Sequence, residues 1–226
     1  MAKGQTISDW TAQKKAPLSV DSLNSNKEED MRRLQRSDLP QFNSITTSYI
    51  YFNTNNEKLT GFFRNYQAQG YTFCVRALPT EEGKKMGYTR KPKLYIPNMR
   101  EAQNFLENII LHGEKNLWNV GISNMSPNLY GGVIISSQKR ILAEIGIKLD
   151  KLTAGEETPL ATYERERMAQ RGKWHRIENK TASEWLRRAT NTIGTRMGYF
   201  EFIIAERKNK KEIKFVDFKT TPGYFI

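Results

Sequence analysis

Residues 200–219 read FEFIIAERKNKKEIKFVDFK, two apolar runs flanking a basic turn, with Glu201, Asp217 and Lys219 set inside the runs. If the loop is the five residues Arg207–Lys211, Glu206 faces Glu212 and Glu201 lies directly opposite Asp217. Directly opposed residues on one sheet face bring their Cβ atoms to roughly 5 Å. Two carboxylates at that separation can share a divalent metal through hard oxygen ligands. Without a cation they repel, and one of them holds its proton more tightly. Lys219 falls on the same face as Asp217, two residues on. There it can hold an attacking water or steady charge developing on a phosphate. Phe200, Phe202, Ile204, Val216 and Phe218 then form the opposite, core-facing side. A register slip of one residue would send the carboxylates to different faces.

The order of these residues, an acidic residue, a turn, then D217-F218-K219, resembles the motif of the restriction-endonuclease-like nucleases. The resemblance covers residues 181–219. It implies a catalytic divalent metal, Mg or Mn, on Glu201 and Asp217, with Lys219 assisting water attack. Glu184, on the preceding helix, takes the additional acidic role seen in some members.

The charge balance points first to a polyanion. Lysines and arginines number 36 against 24 acidic residues, a formal excess of 12. Residues 1–44 hold seven basic and six acidic groups, so almost the whole excess lies beyond them. Two stretches interleave basic and aromatic side chains. KKMGYTRKPK sets Tyr88 among Lys84, Lys85, Arg90, Lys91 and Lys93, and RGKWHRIENK sets Trp174 and His175 among Arg171, Lys173 and Arg176. Lys208, Lys210 and Lys211 in the hairpin loop add a third patch. Basic groups neutralise phosphates and exposed aromatics stack on bases. The leading expectation is a DNA- or RNA-binding protein that grips the phosphate backbone and needs no cofactor for binding. A nuclease and a structural or protein-interaction module are the alternatives.

Other chemistries are thinly represented. Gly131-Gly132 runs into VIISS rather than a Walker ending, and a Rossmann fingerprint is absent. His112 and His175 are the only imidazoles, far apart, and Cys74 is the only thiol, so a structural zinc site is not expected. Cys74 sits in YTFCVRAL, a strand pattern that favours a buried, inert cysteine. One cysteine permits no intrachain disulfide and fits a reducing, cytoplasmic or similar intracellular compartment. Glu144 interrupts the apolar run RILAEIGI and is a candidate for the same metal or nucleotide pocket as Asp217, which keeps a nucleotide-binding enzyme as a third reading.

These residues need a scaffold. Residues 1–44 read as a flexible polar arm able to engage a protein partner, with a short helix over Lys27–Arg36 closed by Pro40. Residues 45–226 read as one α+β domain. SYIYFNT, YTFCVRAL, LWNVGI and YGGVIISSQKRILAEIGI suggest strands. NMREAQNFLENIILHG suggests a helix capped by Asn98 with Glu101 three residues on. A second helix starts at Thr181, and residues 148–180 read as charged and irregular. The expected fold is a mixed or antiparallel sheet with two main helices and a C-terminal β-hairpin. The opening residues are not a secretory signal, and no apolar stretch is long enough to span a membrane.

Overall fold

Burial of alternating apolar residues builds two antiparallel sheets in this chain. The computed structural model describes residues 27–54, 57–167, 169 and 171–219. The first 26 residues of the polar arm, where a protein partner was expected to dock, lie outside the described residues. The chain divides into two units. One comprises Phe42–Pro127 with the hairpin tip Arg207–Lys210, and the other holds the remainder.

In the first unit β1 (Ser44–Ser48), β2 (Thr72–Pro79), β3 (Lys91–Ile96) and β4 (Trp118–Met125) form a sheet of order β1-β4-β2-β3. Phe73, Val75, Ala77, Val120 and Ile122 alternate along β2 and β4 onto one buried face. Helices α2 (Tyr49–Asn53), α3 (Glu57–Ala68) and α5 (Met99–Glu107) supply Phe52, Leu59, Phe63, Ala102 and Leu106 to that core. Helix α4 (Glu81–Lys85) and a 3-10 turn (His112–Leu117) complete the unit. The run SYIYFNT, expected as a strand, switches to helix at Tyr49 because the Ser48 hydroxyl accepts from the Tyr51 N–H and caps the turn. Asn98 caps α5 by accepting from the Glu101 N–H at 3.0 Å.

Cys74 lies on β2 on the sheet face away from these helices, buried beside Ser123 of β4. Burial pushes its thiol up, and the nearby Arg76 and Arg90 charges only partly offset this. Cys74 is therefore expected to react with a disulfide reagent such as DTNB only after denaturation. Stoichiometric labelling of the native chain on the timescale of free cysteine would contradict that.

In the second unit the sheet order is β10-β9-β5-β6-β7-β8, all antiparallel where the register is set. The strands are β5 (Asn128–Ser136), β6 (Arg140–Gly146), β7 (Ala161–Glu166), β8 (Lys173–Ile177), β9 (Gly198–Arg207) and β10 (Lys210–Lys219). Helix α7 (Lys180–Thr192) lays Ala182, Leu186 and Ala189, with the following Ile193, against Ile134, Ile141, Phe200 and Phe202. Its cap is Asn179, which accepts from the Ala182 N–H, rather than a residue at Thr181. Each of the fully buried Leu, Ile and Phe side chains contributes roughly 1.5–3 kcal/mol through lost apolar exposure. Helix α1 (Lys27–Arg36) brings Leu34, with Leu39 beyond it, into the same core. The Phe215 N–H donates to the Pro40 carbonyl at 2.7 Å, seating this segment beside β10.

Two main helices were expected, and this is corrected. Seven α-helices, including α6 (Leu149–Ala154), and one 3-10 turn occur among the described residues, three of them ten residues or longer. Half of these eight elements are five or six residues long, too short to show a 3.6 period in sequence. Residues 148–180, expected to be irregular, hold α6 and the strands β7 and β8. The outward charges of those strands disguise their alternation.

Candidate functional site

The β9–β10 hairpin turns in two residues, not five. Lys208 and Asn209 both carry positive φ, 48° and 63°, the geometry of a tight type I′ turn. Such a turn sets Arg207 opposite Lys210, which by itself would bring Glu201 opposite Val216. The ladder does not continue unchanged. Ile213, Phe215 and Phe218 all pack on the core, and Phe218 stacks on Phe200 at 4.6 Å. Phe215 and Phe218 are three apart, so the alternation shifts by one residue between them. Asp217 thereby turns to the face that Glu201 occupies.

On that face four polar side chains meet. The Tyr199 hydroxyl donates to Glu201 Oε1 at 2.8 Å. Lys219 Nζ lies 3.7 Å from Asp217 Oδ2 and 5.7 Å from the centre of the Tyr199 ring. The Asp217 and Lys219 side chains are only 12% and 11% exposed. The Tyr199 phenol is pushed far above its ordinary range, first by burial, then by the Glu201 charge and hydrogen bond, then by Asp217. Tyr199 was missed in the sequence, although alternation along Y199-F200-E201 places it on the face of Glu201.

Other expected members stand apart. Glu184 is exposed on α7, which packs against the opposite, core-facing side of the sheet. Glu144 is buried, 2% exposed, and shares the face of Glu201, because Val133 pairs with both. Two strands, β5 and β9, separate it from β10 and Asp217. At about 4.8 Å per strand, Glu144 and Asp217 do not converge on one ion. Among the described residues no three His, Cys, Asp or Glu side chains cluster as a complete metal cage.

Several of the patch residues make local contacts within the fold. Lys84 pairs with Glu81 at 2.6 Å, Arg176 with Glu178 at 3.0 Å, and Lys93 lies over the Phe105 ring. Tyr88 turns inward onto Trp118, its hydroxyl donating to Glu114 at 2.5 Å, and Trp174 packs on Tyr163 at 4.7 Å. Neither aromatic is a free stacking platform. Lys85, Lys91, Arg171, Lys173, Lys208, Lys210 and Lys211 are exposed, and Arg90 lies near Cys74. The residues 84–93, 208 and 210 belong to one unit, and 171–176 and 211 to the other.

No family model matches the chain, and no curated protein matches it. Among solved structures it is similar to the D-alanine–D-alanine ligase from Coxiella burnetii, at TM-score 0.42 and 9% identity, over 88% of this chain and 48% of that one. It is similar to the macrocyclase MdnC of Microcystis aeruginosa bound with precursor peptide MdnA, at 0.41 and 12%, over 88% and 53%. It is also similar to a RimK domain ATP-grasp protein from Sphaerobacter thermophilus, at 0.37 and 11%, over 81% and 54%. The chain spans about half the length of these proteins.

The nucleic-acid and nuclease expectations are corrected. Within this chain the patch aromatics are turned inward and several patch cations are already paired. DNA or RNA as partner and cofactor-free binding are both set aside. The polar groups the fold does gather, two carboxylates and a lysine, suit a cation-borne phosphate. No described helix is long and apolar enough to cross a membrane.

Proposed function

We propose that the six-stranded unit binds a nucleoside triphosphate as its divalent-metal complex, on the face carrying Glu201, Asp217 and Lys219. The observation that carries this reading is the half-buried Tyr199–Glu201–Asp217–Lys219 cluster. Holding two carboxylates and an ammonium away from water costs free energy that apolar residues would not incur. Mg²⁺ is typically held by one or two carboxylates, with substrate phosphates and waters filling its remaining positions. A pair of carboxylates, joined by no third His, Cys, Asp or Glu among the described residues, fits that use. Lys219 supplies the positive charge that a polyphosphate needs beside the metal.

The test is calorimetric titration with ATP, in Mg²⁺ and in EDTA, of wild type and Asp217→Asn. Metal-dependent binding is expected in wild type, with at least about a tenfold loss in the variant, equivalent to about 1.4 kcal/mol. Ligand at a hundred times its Kd should also stabilise the wild type by about 2.7 kcal/mol against thermal unfolding. Binding that ignores Mg²⁺, or an Asp217→Asn chain that binds like wild type, would sink the reading. Triphosphate and GTP controls show whether the base contributes.

A further inference from the structure

We infer that Tyr199 is the positioning residue of this site, holding Glu201 through its hydroxyl and Lys219 through its ring. The inference rests on the nucleotide reading above and adds to it the device that sets the two charged arms. Lys219 alone has a long, freely rotating stem, and Glu201 alone has three side-chain torsions. Tyr199 restrains both from one ring. Its O–H donates to Glu201 Oε1 at 2.8 Å, which fixes the orientation of that carboxylate. The face of the same ring lies 5.7 Å from the Lys219 ammonium, inside the range of a cation–π contact.

The surroundings favour this division of labour. A tyrosine phenol ordinarily loses its proton only at about pH 10, so the hydroxyl is a donor at physiological pH. Phe200 and Gly198, its chain neighbours, are buried, and Ile135 opposite it on β5 is also buried. The ring is therefore anchored on a strand rather than carried on a loop, which is what a positioning group requires. Asp217 is tied to the same arrangement through Lys219 at 3.7 Å.

The two halves of the role separate by substitution. Tyr199→Phe removes the hydroxyl and keeps the aromatic face; Tyr199→Leu removes both. Three quantities are read for each variant and wild type: affinity for Mn²⁺ alone from the free-ion electron paramagnetic resonance signal, affinity for ATP at saturating Mg²⁺, and the ligand-free melting temperature. Losing an outer hydrogen bond to a metal ligand lowers metal affinity by about tenfold or more, and that loss is expected for Tyr199→Phe, with a smaller change for ATP. Tyr199→Leu is expected to weaken both.

Unchanged Mn²⁺ affinity in the Phe variant overturns the inference while leaving the nucleotide reading intact. So does an equal loss of both affinities in the Phe and Leu variants in step with melting temperature, because that marks a purely structural tyrosine. A wild-type chain that binds neither Mn²⁺ nor ATP overturns the nucleotide reading and this inference with it.

Discussion

Lys219→Met is expected to move two affinities in opposite directions: Mn²⁺ alone binds more tightly, and ATP at saturating metal binds at least about tenfold more weakly, a change of about 1.4 kcal/mol. The Lys219 ammonium sits 3.7 Å from the Asp217 carboxylate, with both side chains nearly out of solvent. At the effective dielectric of such sites a pair at that range carries a Coulomb attraction on the order of 4 kcal/mol, much of it offset by desolvation. That ammonium competes with any cation approaching Asp217. Methionine keeps the unbranched stem and its packing while removing the competitor. A polyphosphate needs the ammonium, since the metal cannot neutralise every phosphate oxygen. Calorimetry with ATP and paramagnetic titration with Mn²⁺ read the two effects separately. If both affinities fall together, Lys219 is a prop for the hairpin and has no direct part in phosphate binding.

The polar face was readable from sequence only through local alternation. F-E-F and D-F-K each announce one apolar and one polar side, which is a local property of a strand. Their relative register is not local. A five-residue loop was assumed, whereas Lys208 and Asn209 make a two-residue turn without the glycine that usually marks one. The one-residue shift between Phe215 and Phe218 then returns Asp217 to the face of Glu201. No sequence rule predicts that shift, because it arises from two phenylalanines seeking the same core.

Elsewhere the limits have similar causes. The Asn98 cap and the apolar positions Ala102 and Leu106 located the start of α5, which ends at Glu107, short of the expected stop at Gly113. Helix α3 did not, because Gly61 and the adjacent pair Phe62–Phe63 blur its period, although Leu59 and Phe63 are buried one turn apart. The basic excess suggested a polyanion because composition counts charges without saying where they point. Lys84 and Arg176 spend theirs on Glu81 and Glu178, and the aromatics beside them face inward.

The core beneath the site makes a second large prediction, at Gly132. It pairs with Phe202 across β5 and β9, and the Phe202 ring lies directly over it. A Cβ built on Gly132 would stand 2.2 Å from the Phe202 ring tip and 2.7 Å from the Glu144 carbonyl oxygen. Neither neighbour yields cheaply, since the ring is fully buried and the carbonyl belongs to the adjacent strand. Gly132→Ala is expected to destabilise the unit by about 1–3 kcal/mol through overpacking. Phe202→Ala, which empties the space above the glycine and removes the contact with Phe215, is expected to cost about 3–5 kcal/mol. The double variant should then cost less than the sum, because the alanine methyl enters the volume the ring vacates. In a chain of this size each kcal/mol lowers the melting temperature by roughly 2–4 °C, so thermal melts resolve all three variants. Strict additivity would mean that the ring and the glycine do not share that space. The close approach of β9 to β5 that aligns Glu201 with Val133 would then need another cause.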